Sequence, residues 1–207
     1  MKKGNTMTVA KIMGGCLAAL GAILLPTAAF AHTGVGETSG FMHGFSHPIS
    51  GLDHILAMVM VGVFAWQLGG RALWLVPTSF VLMMAVGGTL GVFGIDVPFV
   101  EIGITLSVIV LGLGVALGVK TPAVVAMAVV GLFAIFHGHA HGAEMPEDAG
   151  GVAYAAGFMI ATALLHIAGI GIGFGIGKAG ERHGPMVVKA SGGVAAIAGV
   201  GILTGLL

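Results

Sequence analysis

From residue 48 to the C-terminus the chain is an almost continuous series of apolar runs, near 48–68, 72–94, 97–118, 122–141, 151–177 and 186–206. Each is close to the roughly 20 helical residues that cross about 30 Å of hydrocarbon. The connections are short, around Arg71, Asp96, Lys120, Gly142 and Lys178. Only 8% of the 207 residues are charged and 57% are hydrophobic, with a mean hydropathy of +1.08. Soluble domains carry about a quarter charged residues. The pattern predicts an all-α membrane protein, a bundle of six transmembrane helices with the lipid bilayer as its solvent.

The N-terminus has a different character. Lys2, Lys3 and Lys11 precede an apolar core from Ile12 to Leu25, then Pro26 and the small-residue sequence Ala29-Phe30-Ala31. This is the pattern of a secretory signal peptide, residues 1–31, cut after Ala31, which leaves a mature transmembrane domain over 32–207 with His32 on the outer side. The only cysteine, Cys16, lies in the signal, so the mature chain has neither disulfide nor thiolate ligand. Starting outside makes the first, third and fifth connections cytoplasmic. Arg71, Lys120, Lys178, Arg182 and Lys189 all fall in or beside these, and Asp96, Glu144, Glu147 and Asp148 fall in external ones, as the positive-inside rule requires. Trp66 and Trp74 flank Arg71, where interfacial aromatics are expected. The eight basic and eight acidic residues cancel, which gives no footprint for nucleic acid.

The glycine-rich run AGIGIGFGIGK ending at Lys178 lacks the spacing and the Ser/Thr of a phosphate-binding loop. Gly169, Gly173 and Gly177, four apart, suit close helix packing instead. No ATPase element is evident, and no sequence match supports two inverted triplets of helices.

Against this apolar background two clusters stand out. GFMHGFSHPISGLDHILAM contains His43, His47, Asp53 and His54 at the outer mouth of the first span. Proline favours the first helical position, which predicts His47 at the helix entrance and Asp53 and His54 about two turns inside. FHGHAHGAE contains His137, His139, His141 and Glu144 at the outer end of the fourth span; on a helix His137, His141 and Glu144 share a face and His139 points away. Two distant sets of imidazoles and carboxylates are thus expected in one layer. Ionisable groups within a span are costly and mark functional sites. A solvated polar turn is the ordinary alternative for the second cluster, and interfacial snorkelling for His43. His166, near the middle of the fifth span, suits either a hydrogen bond to a neighbouring helix or a relay inward from the outer site. Glu101, one turn into the third span, invites the same argument.

Neutral imidazoles with a few carboxylates and no thiolate favour borderline divalent ions such as Ni²⁺, Co²⁺ or Zn²⁺. Mg²⁺ and Ca²⁺ prefer oxygen. An inside-negative potential of 100 mV contributes roughly 4.6 kcal/mol to inward movement of a divalent cation, at about 2.3 kcal/mol per charge, so import needs no ATP.

HPISGLDHILAM from His47 and FHGHAHGAE from Phe136, after a signal ending AHTG, resemble the motifs of the HupE/UreJ family of hydrogenase and urease accessory membrane proteins. The resemblance covers essentially the whole chain. It implies a nickel/cobalt permease of the bacterial inner membrane, multi-pass with a periplasmic mature N-terminus, not an enzyme. It implies Ni²⁺ or Co²⁺ as transported substrate, no prosthetic group, and metal ligation by His47, Asp53 and His54 together with His137, His139, His141 and Glu144. The first motif is also similar to the H-x4-D-H signature of larger nickel/cobalt transporters, with one more residue between His47 and Asp53. The residues alone also allow an intramembrane zinc hydrolase, with Asp53 or Glu144 as base, and a haem-binding membrane protein. They leave a homo-oligomer open.

Overall fold

The computed structural model describes residues 37–146, 150–178 and 184–207. The predicted signal peptide, His32, Glu147, Asp148, Arg182 and His183 lie outside them.

Seven helices and no strand occur among the described residues: α1 Glu37–Ser50, α2 Leu52–Leu68, α3 Ala72–Val92, α4 Val100–Leu117, α5 Ala123–Ala143, α6 Gly151–Gly177 and α7 Gly184–Leu203. The last five are long and apolar enough to cross a membrane. The α1–α2 pair meets the same test jointly but bends by 82° at its break. Leu82, Leu132, Leu164, Ile167 and Ile197 are exposed, as side chains facing lipid are. Inside, Met58, Val61, Val63, Val76, Phe80, Met84, Val108, Val115 and Val130 are fully buried. The fold is that of a multi-pass membrane protein.

The break between α1 and α2 corrects the expectation for Pro48, which lies inside α1 and does not start a helix. The chain opens three residues later at Gly51, whose extended backbone (φ −96°, ψ 127°) caps α2. A proline removes one N–H from the ladder and crowds the carbonyl four residues earlier, so α1 is weakened where it ends. His47 therefore sits in the last turn of α1, and Asp53 in the first turn of α2 rather than two turns inside.

Glycines bring backbones together where the site is built. A Cβ on Gly62 of α2 would meet the His166 carbonyl, and one on Gly169 of α6 would meet that of Val59. Likewise, Gly138 of α5 rests on the Met84 carbonyl of α3. Side chains at these positions would hold the helices apart. The ring of Trp66 covers Gly173 and Gly177, so the glycine spacing does serve packing. Trp66 faces α6, whereas Trp74 is the exposed member of the pair.

Candidate metal centre

The two polar clusters meet. His47 from α1, Asp53 and His54 from α2, and His137 and His141 from α5 form a continuous set of contacts. Ring centroids are 4.7 Å apart for His47 and His141, 4.5 Å for His54 and His141, and 4.8 Å for His54 and His137, all edge to face. His54 is the hub. His137 is 0% and His141 2% exposed, so α5 supplies a buried wall and α1 the more open one.

Two of these rings have their tautomers fixed. Asp53 Oδ1 accepts the Nδ1–H of His54 at 2.9 Å and its backbone N–H at 2.7 Å, which leaves His54 Nε2 as the bare nitrogen, buried and unpartnered. The Ser107 hydroxyl of α4 donates to the Ile104 carbonyl at 2.6 Å. Its proton is thereby committed, so Ser107 accepts the Nε2–H of His137 at 2.9 Å, and His137 Nδ1 is left bare and buried without a partner. A carboxylate or oxygen acceptor behind an imidazole is the usual way to orient a metal ligand and raise its basicity. Both nitrogens of His141 are also buried without partners; Phe158 of α6 packs on that ring with centroids 4.0 Å apart.

Glu144 follows the end of α5 as its C-cap, its N–H donating to the Ala140 carbonyl at 3.0 Å. Its Oε2 accepts from His47 Nε2 at 3.2 Å across an open mouth, where the side chains are 58% and 33% exposed. Such exposed pairs add little to stability. No three His, Cys, Asp or Glu side chains among the described residues are arranged to hold one ion as they stand. The rings pack against each other edge to face.

The other sequence candidates lie apart. His139 is on the far side of α5, where its Nε2–H donates to the Ile95 carbonyl at 2.9 Å. His43 is exposed on α1. Glu101 is exposed in the first turn of α4. His166 is buried on α6 against Phe80, centroids 5.1 Å apart, and is not among the histidine contacts. Sequence reasoning missed Ser107, Phe80, Phe158 and Tyr154. Tyr154 is the only tyrosine; it is buried 6.5 Å from His47 with its hydroxyl unpartnered, and its rarity in the chain was a usable signal. Ser107 was legible only as a hydroxyl in an apolar run. The two phenylalanines carried no signal.

Comparison with known proteins agrees with the motifs. No solved structure matches the chain. Protein HupE of Rhizobium leguminosarum bv. viciae is 52% identical over 163 residues, which cover 78% of this chain and 85% of that protein. The family model described as HupE / UreJ protein matches residues 17–202. With nearly its whole length inside that match, the chain belongs to the HupE/UreJ family.

Proposed function

We propose that the protein is a permease that imports Ni²⁺ or Co²⁺ from the periplasmic side for metalloenzyme maturation. The observation that carries this reading is the contact between His54 and the two buried histidines of α5, in which His54 and His137 each present a bare nitrogen with its tautomer fixed from behind. Neutral imidazoles backed by oxygen acceptors bind borderline divalent ions, and Zn²⁺ fits the same donors. In this reading the broken α1–α2 pair counts as one span, giving six. Discontinuous spans commonly carry the ion sites of transporters. Arg71, Lys120 and Lys178 sit in or beside connections that alternate with those near the histidines; the positive-inside rule then makes the histidine end periplasmic in the inner membrane. His43 and His139 lie outside the contacts, and the reading does not depend on them.

The test is accumulation of radioactive nickel and cobalt by metal-depleted cells producing the protein. Both His54→Ala and His137→Ala are expected to abolish the increment over cells lacking it. Unchanged accumulation in both overturns the reading.

A further inference from the structure

Tyr154, in the first turn of α6, stands beside the histidines with its hydroxyl unused. The residue is 3% exposed, and the hydroxyl oxygen is buried without a hydrogen-bond partner. Phenylalanine would fill the same space without burying an unpaired polar group, which is unfavourable. Packing of the ring therefore does not account for the hydroxyl.

The helix register shows where that residue is held. Tyr154 and Phe158 are four apart on α6 and share a face. Tyr154 lies 6.5 Å from His47 and Phe158 4.0 Å from His141, centroid to centroid, and those two histidines are 4.7 Å apart. The four rings thus close a circuit of contacts among α1, α5 and α6. Backbone packing fixes the Tyr154 corner of it: a Cβ on Gly44 of α1 would run into the Tyr154 carbonyl, and His47 follows Gly44 by three residues on the same side of α1. The carboxylate of Glu144, paired with His47 at 3.2 Å, is near enough to act electrostatically on the Tyr154 hydroxyl.

We infer that the Tyr154 hydroxyl is a further binding group of the outer site, a hydrogen-bond partner for water carried by a divalent cation that enters between His47 and Glu144. Water on a cation turns its oxygen to the metal and its protons outward, so it needs acceptors around it. The phenolic oxygen is such an acceptor and is neutral. A bond made through water is nearly as favourable as a direct one, and shielding from bulk solvent strengthens it. The histidines ligate the ion, whereas Tyr154 acts through the ion's water and is a positioning residue. The inference rests on the permease reading for the identity of the ion and its direction of entry.

Tyr154→Phe keeps the ring and removes only the oxygen. The full chain in lipid nanodiscs is titrated with Co²⁺ alone, and cells producing the same protein are assayed for uptake over a range of nickel concentrations. Cobalt affinity is expected to weaken by about tenfold or more, the usual effect of losing a group behind a metal's ligands. The nickel concentration for half-maximal uptake rises by a similar factor while the maximal rate holds. The metal-free variant has a thermal midpoint equal to or above the parent's, because an unpaired buried hydroxyl has been removed. A lowered midpoint with unchanged cobalt affinity assigns the hydroxyl to a structural hydrogen bond and overturns the inference. Parental nickel uptake and cobalt affinity in the variant overturn it too, and leave the permease reading standing. Cobalt binding that Tyr154→Phe weakens, in a protein that gives cells no nickel uptake, supports the role of Tyr154 and overturns the permease reading.

Discussion

Asp53 and His54, adjacent in sequence, are joined twice: one carboxylate oxygen takes both the backbone N–H and the ring Nδ1–H of His54, at 2.7 and 2.9 Å. The first bond holds the carboxylate over the start of α2, where the helix dipole favours negative charge. The second leaves Nε2 as the free nitrogen of a ring that packs on the α5 histidines. Asp53→Asn keeps size but replaces a charged acceptor with an amide, and it is expected to lower metal uptake at limiting nickel by about 10–100-fold. Protein abundance in the membrane should stay unchanged, as read by immunoblot of the membrane fraction. Wild-type uptake by this variant would show that the carboxylate does not set the ligand.

Gly51 is tied to the same pair. A Cβ there would stand 2.7 Å from Asp53 Oδ1 and 3.2 Å from His54 Nδ1. Because its backbone is ordinary extended chain, Gly51→Ala strains no dihedral and acts only by displacing the carboxylate. Uptake should fall by about tenfold with helix content and thermal midpoint close to the parent's. A large loss of stability would mean that Gly51 serves the bend itself.

Ser107→Ala probes His137 from behind. The change removes the acceptor of the Nε2–H and leaves that group buried and unpaired, at a cost of about 1–3 kcal/mol. It also frees the ring to exchange tautomers. Cobalt affinity measured by titration of purified protein should weaken by about 10–100-fold, while Ser107→Thr, which keeps the hydroxyl, should retain more of it.

Packing makes a separate prediction. Gly138→Ala places a methyl against the Met84 carbonyl and the Gly88 nitrogen, both backbone, so the helices must separate. A cost of about 1–3 kcal/mol should lower the thermal midpoint in detergent by several degrees. Gly171→Ala meets nothing within 4 Å and should be neutral or stabilising by up to about 1 kcal/mol, because alanine is the better helix former.

At the mouth, Glu144→Gln should leave stability unchanged, since the His47 pair is exposed and such pairs contribute about 0–1 kcal/mol. Loss of a negative charge at the outer opening should raise the nickel concentration needed for half-maximal uptake without changing the maximal rate. A change in the maximal rate alone would assign Glu144 to a later step.

Much of this arrangement was legible in the sequence. Hydropathy identified the five continuous spans, since the bilayer sets their length. The i, i+4 spacing of His137 and His141 placed both on one face, and His139 away from it, as their partners show. The break at Gly51 was not legible: proline at the start of a helix and proline near the end of one read alike, and only packing of α1 on α6 through Gly44 and Gly157 decides between them. Ser107 and Phe80 escaped for a related reason. Their relevance comes from neighbours 30 and 57 or more positions away, contacts that no local period encodes.

The bend has one more consequence. The motif that reads as a single string from His47 to His54 is mounted on two separate levers joined at one residue. The gap between its two imidazoles is therefore governed by a pair of torsions at Gly51. With α1 packed backbone to backbone on α6 through Gly44 and Gly157, those torsions are held, and the bite of the motif is set at that one joint.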